Sequence, residues 1–450
     1  MGRQQQKREK VIPGLWLAVA LVLMMLAGTG SEVTASQEEP VALTLEKSIE
    51  IALQRNLSIK VAQEGVTVAE QRKKESFTEF LPKLKAEYGY RRPSENTVTF
   101  GGISVQAGDR NQYRFTGTLE QPIFTGFAIL TNYQLSKLGL DVAKILLEQA
   151  RQDLILQVKE AYLGIQRAEK LQEVAAQSVR QLEEEVKVAK SFYEVGMKPK
   201  VDVLDAETRL GDAKVQYIRT ANNLRVAEAN FNTVLRRPLE TPVKIADVLT
   251  PKPYDRTYEQ SEAIALSHRP EVLEAQKKVE SAEKEISLAK SNFYPTVTFA
   301  SNYYRRGNRP NVQGSNFVDR ENWDIIAVAN WTFFEWGKTL YSVNQKRAQL
   351  QQAKDALKQV EDSVRLQVKS AYLTLQAAKE AIVAAKLSVE SAEENFRISQ
   401  ERYRGQVATS TEVLDAQTRL TTAKTNYTNA LVAYDLARAR LIRAMGLEEL

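Results

Sequence analysis

The chain has 450 residues, with 62 Lys and Arg against 56 Asp and Glu, a single histidine and no cysteine. The lack of cysteine excludes disulfides, thiolate catalysis, cysteine-rich metal sites and a lipid anchor on an N-terminal cysteine. The basic excess is small and part of it lies in the first few residues, so no nucleic-acid-binding patch is expected.

Residues 1–35 form a separate unit. Arg3, Lys7, Arg8 and Lys10 precede an apolar run from Val11 to Leu26, and Val33-Thr34-Ala35 offers small residues to a peptidase. That is the layout of a secretory signal peptide. An N-terminal membrane anchor is the alternative; the short apolar run, followed by polar and small residues, favours export with cleavage. No later segment has the apolar length of a spanning helix. If the mature chain enters a bilayer, it does so with strands.

From Thr44 to about Phe80 the pattern predicts a helical arm, with Leu45, Ile49, Ala52 and Leu53 on its apolar face and Pro82 as its terminator. A second arm starts near Thr257 and stops before Pro295. After each proline the period changes from helix to strand. Leu84, Ala86, Tyr88 and Tyr90 alternate with polar residues, as do Tyr113, Phe115, Gly117 and Leu119. In the second copy Val297, Phe299 and Tyr303 alternate likewise, followed by Trp323, Ile325, Ala327, Ala329 and Trp331. Polar, glycine-bearing loops at residues 92–111 and 305–321 join the members of each pair. About ten residues per strand suffices for a tilted strand to cross a membrane. Open strand edges cannot be left in lipid, and four strands cannot close a barrel. Three subunits would give twelve strands and a lumen, whereas two would give eight and a filled interior.

Each strand pair leads into a long helical hairpin. Apolar or small residues recur at steps of four and three, as in Leu154, Val158, Ala161, Ile165 and Ala168, and adding 210 to the numbering reproduces the pattern. A repeat averaging 3.5 residues marks helices that wind around one another. The match is also literal. Val203 to Leu210 returns as Val413 to Leu420 with one Glu-to-Gln change. The chain therefore reads as an internal duplication. Repeat one covers 36–243, with strands at 84–92 and 112–121 and a hairpin at 129–235. A proline-bearing linker at 244–256, expected to cross the outside of the body, precedes repeat two at 257–450. That repeat has strands at 296–304 and 323–333 and a hairpin at 340–444. Tyr193, Tyr217, Tyr403 and Tyr427 fill wider gaps in the alanine-rich helical seams.

The most suggestive polar residues lie where the hairpins turn back. One tip contains Gly196, Met197, Lys198 and Pro199, followed by Asp202 and Asp205. The other contains Gly405, Gln406, Val407, Ala408 and Thr409, followed by Glu412 and Asp415, with Tyr403 before the turn. Glycine suits the left-handed residue that stops a helix. Acidic residues three apart in a first helical turn share one side and favour the helix dipole. The sharper alternative is a ring of carboxylates that narrows a pore and binds cations. No catalytic constellation, metal site or cofactor site is expected, and His268 reads as a surface residue.

Several marks in order resemble the TolC-type outer membrane efflux proteins. They are Leu43-Thr44-Leu45-Glu46 with Ala52-Leu53 and Asn56, then Gln121-Pro122-Ile123-Phe124 with Gly126. In the second copy Ala263 to Leu266, Arg269-Pro270-Glu271 and Trp331 to Phe334 with Gly337 answer them, and both tips run into Val-Leu-Asp-Ala. The resemblance implies a mixed α/β membrane protein: a homotrimeric, 12-stranded outer-membrane β-barrel with four strands per chain. A long periplasmic α-helical barrel of coiled-coil hairpins continues it. It also implies a passive duct in a tripartite efflux or type I secretion system of a Gram-negative cell. Such a duct docks with a periplasmic adaptor and an inner-membrane pump or ATP-driven exporter, and is not an enzyme. By the same resemblance Glu412 and Asp415 narrow the periplasmic aperture, Asp202 pairs with Tyr403, and residues 196–199 and 405–409 meet the adaptor. The arginine of a second stabilising link falls on Ala408 here. A non-transporting exported coiled-coil protein, structural or adhesive, is the competing reading.

Overall fold

A computed structural model describes residues 42–246 and 251–448; the expected leader lies outside them. Each repeat opens with an interrupted helical arm. Thr44 caps α1 (Leu45–Arg55) through its side chain. Asn56 then leaves helical geometry, and its side-chain oxygen accepts from Ser58 N at 2.8 Å to cap α2 (Leu57–Thr78). The arm is therefore two helices rather than the continuous one expected from the pattern. Asparagine competes for the backbone at this position and resets the chain direction.

The chain then forms two strands of a four-stranded antiparallel sheet and a small additional hairpin. Strands β1 (Lys83–Arg91) and β4 (Gln112–Thr125) flank β2 (Thr97–Phe100) and β3 (Ile103–Gln106), which pair with each other. The latter pair occupies the segment expected to be a plain loop. Gly101 and Gly102, both at positive φ, make its two-residue turn. Two long helices follow, α3 (Ala128–Glu194) and α4 (Lys200–Val234).

The second repeat restates this order as α5 (Tyr258–His268), α6 (Pro270–Lys290), β5 (Thr296–Gly307), β6 (Glu321–Asn330), α7 (Lys338–Arg404) and α8 (Ser410–Ala444). Arg269 breaks its arm where Asn56 breaks the first, and Pro270 starts α6 at the position where proline loses no hydrogen bond. At 67 residues each, α3 and α7 are on the order of 100 Å long.

The sheet order is β1-β4-β5-β6, so the two repeats meet at the β4–β5 pair. Register sorts the side chains onto two faces. Leu84 lies opposite Leu119, Tyr88 opposite Phe115, Tyr303 opposite Trp323, and Ser301 opposite Ile325. Leu84, Trp323 and Ile325 are largely exposed on this apolar face. The opposite face is polar. Lys85 pairs there with Glu120, Thr118 Oγ1 donates to Asn302 at 2.9 Å, and Asn302 Nδ2 donates to Asp324 at 2.8 Å. Among the described residues, the outer edges of β1 and β6 have no strand partner. Strand β6 ends at Asn330, and Trp331 leaves the ladder to donate from its indole to Phe293 O at 3.2 Å. Among the described residues, no helix is long and apolar enough to cross a membrane.

Two apolar cores sit midway along the long helices and mirror each other. In the first, Ile49, Ala52 and Ile59 pack on Val158, Tyr162 and Ile165 of α3 and on Phe231. In the second, Ala265 and Val272 pack on Val364, Val368 and Leu375 of α7 and on Leu441. The linker is more firmly held than expected, because both its ends join these bodies. Val243 is buried and Ile245 bridges to Leu43. Tyr162 Oη lies 2.9 Å from Ala246 O, and Tyr434 Oη donates to Lys252 O at 2.9 Å.

Candidate functional site

The hairpin tips are built from two turns with the same backbone hydrogen-bond pattern and unequal sequence. After α3, Gly196 takes φ +74°, and Met197 N reaches back to Phe192 O at 2.8 Å. After α7, Val407 N reaches Arg402 O at 2.9 Å in the same way, but the left-handed residue is Gln406 at φ +64°, not Gly405 at φ −77°. The glycine expected to end this helix sits one residue early, and a side chain carries the strained conformation. A non-glycine residue there costs roughly 1–2 kcal/mol. Gln406→Gly should therefore stabilise the turn by about 1 kcal/mol and raise hydrogen-exchange protection at Val407 roughly fivefold. Unchanged or reduced protection would contradict this.

Tyr403 is the hub between the tips. Its ring is 2% exposed and packs against Phe192, with ring centroids 5.7 Å apart. Lys198 Nζ lies 5.3 Å from the ring centroid and 3.3 Å from Ala408 O. Gln406 Nε2 lies 3.1 Å from Met197 Sδ. Ala408 is buried in the apolar cluster with Tyr403, Phe396 and Val413, so its side chain contributes packing. The Tyr403 hydroxyl is buried without a well-formed hydrogen bond. Burial pushes its pKa up, and the charges of Asp202 and Glu185 add to the rise. Asp202 thus acts on Tyr403 by charge, with no hydrogen bond between the two within the described chain.

The carboxylates fall into two kinds. Asp205, Glu412 and Asp415 are exposed, whereas Asp202 is half-buried. Glu412 lies 3.6 Å from Arg402, and Asp415 lies 3.5 Å from Arg209 of the other hairpin. Exposed pairs of this kind contribute little stability, yet they place each second-tip carboxylate beside a cation that must be displaced before another is bound. Neither arginine was anticipated from the sequence. Above the tips, buried Glu185 accepts from Gln400 Nε2 at 2.5 Å. Burial raises its pKa, partly offset by Gln400 and by the charge of Arg404. Ser178 and Gln417 bond at 2.6 Å farther along the seam between α3 and α8. His268 lies exposed at the end of α5, its Nδ1 beside Ser267 Oγ at 2.7 Å.

A family model described as outer membrane efflux protein matches residues 48–235 and 263–447, one stretch in each repeat. The chain belongs to this family. Among its relatives, the outer membrane efflux protein BepC of Brucella suis is 22% identical over 334 residues, covering 74% of this chain and 68% of that protein. The alkaline protease secretion protein AprF of Pseudomonas aeruginosa is 22% identical over 349 residues, with 75% and 68% coverage. The fold matches the outer membrane protein VceC of Vibrio cholerae at a TM-score of 0.77 and 16% identity, across 89% of this chain and 96% of that one. As a member of the outer membrane efflux family, the chain is an outer-membrane duct for efflux or type I secretion. Its sheet lies in the outer membrane and its helical part in the periplasm.

Proposed function

We propose that three copies assemble as a homotrimer. Their sheets close into a 12-stranded barrel in outer-membrane lipid, and their hairpins form a tunnel that conducts cargo passively. The observation that carries this reading is the sheet itself, apolar on one face, polar on the other, and unpaired at both outer edges. A neighbour's β6 beside β1 satisfies those edges, as lipid requires. The periplasmic tips, including Gly196 to Pro199 and Gly405 to Thr409, grip an adaptor protein that links the duct to an inner-membrane pump or ATP-driven exporter. Exposed Val195, Met197, Val201 and Val407 supply apolar contact at both turns. Energy and cargo choice belong to the pump, so the same duct chemistry serves efflux and protein secretion. The hairpins carry no catalytic function.

At the inner end, Glu412 and Asp415 form the aperture's carboxylate ring, and Asp202, Asp205 and Tyr403 hold neighbouring hairpins in the closed arrangement. Neutralising both ring residues (Glu412→Ala with Asp415→Ala) should weaken block by trivalent cations on the order of tenfold or more and reduce cation selectivity in planar bilayers. Currents as sensitive to the cation as those of the wild type would overturn this assignment.

A further inference from the structure

The polar face of the sheet changes character toward the loop-bearing end. Its lower layers mix charges and amides, as in Lys85 with Glu120 and Asn302 with Asp324. The top layer does not. Register places Arg114 of β4 directly opposite Arg306 of β5, and Arg306 N bonds Arg320 O at 3.1 Å at the start of β6. Arg91, opposite Gln112, ends β1 on the same face. Arg114, Arg306 and Arg320 thus lie side by side across one chain's sheet, and Arg91 stands one layer nearer the loops, because the β1 residue opposite Arg114 is Gly89. Like charges placed directly opposite each other oppose strand pairing, so the fold alone gives no reason for this row.

No carboxylate relieves it adequately. Among the described residues none forms an ion pair with Arg91, Arg114 or Arg306; Glu321, on the opposite face, lies 3.1 Å from Arg320 and 3.9 Å from Arg305. Glu87, opposite Thr116, stands one layer below. The Arg306 guanidinium is held 5.2 Å from the Tyr304 ring centroid, with its Nε buried and lacking a hydrogen-bond partner. Its two terminal nitrogens, which no carboxylate among the described residues reaches, are suited to an oxyanion, which they can bind in a fork.

We propose that this row, repeated around the barrel, forms an oxyanion-binding ring at the outer mouth of the duct. It would favour solutes bearing phosphate or sulfate groups and give the exit a selectivity opposite to that of the acidic inner aperture. The inference rests on the barrel reading, because only closure with the polar face inward makes the row a ring.

The test is a planar bilayer of neutral phosphatidylcholine, which removes phosphorylated outer-leaflet glycolipid as an alternative ligand. Inorganic polyphosphate is added to one side and then the other. Wild-type channels should be blocked from the strand-loop side. Arg114→Gln with Arg306→Gln should weaken that block on the order of tenfold and shift the reversal potential in a salt gradient toward cations. Arg114→Lys with Arg306→Lys, which keeps the charge, should retain most of the block. Open channels with no block from the loop side, or equal block in wild type and the glutamine variant, overturn the ring. If the wild type forms no channels, the barrel reading fails and the ring with it.

Discussion

Gly126→Ala should all but eliminate assembled protein in the membrane. Gly126 joins β4 to α3 at φ +59°, and a Cβ there would lie 2.3 Å from Ser291 O and 3.0 Å from Tyr294 Cβ. The first obstacle is backbone in a short 3₁₀ turn (Ser291–Phe293) that brings the second repeat into its own strand. Left-handed strain costs roughly 1–2 kcal/mol, and overpacking adds about 1–3 kcal/mol. The rings of Phe124, Phe127 and Tyr294 stack edge-on around this junction, so the backbone has little room to yield. By contrast, Gly211 lies within α4 with nothing near its would-be Cβ. Gly211→Ala should be neutral or stabilising by about 0.5–1 kcal/mol. The amount of heat-resistant oligomer in outer-membrane extracts measures both. Wild-type levels of Gly126→Ala protein would refute the junction argument.

Tyr162→Ala should cost about 3–5 kcal/mol in stability, the range for removing a buried aromatic ring. The side chain is 1% exposed and packs edge-on against Phe231 at 6.1 Å between centroids. Its hydroxyl lies 3.0 Å from Leu43 O and 2.9 Å from Ala246 O, tying the start of the first arm to the start of the linker. Tyr162→Phe keeps the ring and should cost only about 0.5–1.5 kcal/mol, the net worth of one hydrogen bond, because Ala246 N still reaches Leu43 O at 3.2 Å and Gln166 Nε2 still reaches Ala246 O at 3.1 Å. Thermal melting of the purified protein separates the two variants. Equal melting temperatures would mean the ring contributes nothing beyond the hydroxyl.

Much of this architecture was legible in the sequence because two independent signals agreed. The duplication fixed where each element recurs, and the switch from helical to alternating period located the four long strands. The missed features have local causes. Asn56 interrupts a helical pattern that continues on both sides, so periodicity alone could not reveal the break between α1 and α2. The β2–β3 hairpin is short, although Gly101-Gly102 between Val98-Thr99-Phe100 and Ile103-Ser104-Val105 was a usable turn signal. At the tips, residue types were readable but pairings were not. Arg209 meets Asp415 across a sequence gap set by how the hairpins pack, and Glu185 meets Gln400 for the same reason. The second-tip turn keeps its shape with Gln406 in the strained position because Tyr403, Ala408 and Val413 are buried around it.

The central claim is that each sheet is one third of a closed wall, with β1 of one copy paired to β6 of the next. The chain has no cysteine, so an introduced pair reports cleanly. Gly89→Cys in β1, where nothing lies near the new side chain, would be combined in turn with Asn322→Cys, Asp324→Cys or Ile326→Cys in β6, all on the polar face. Within one chain these positions lie on opposite edges of four strands, about 14 Å apart at the usual strand spacing, too far for a disulfide. Oxidation in outer-membrane vesicles should yield a covalent trimer as the end product for at least one combination. Monomers alone, or a series ending at dimers, would contradict the account.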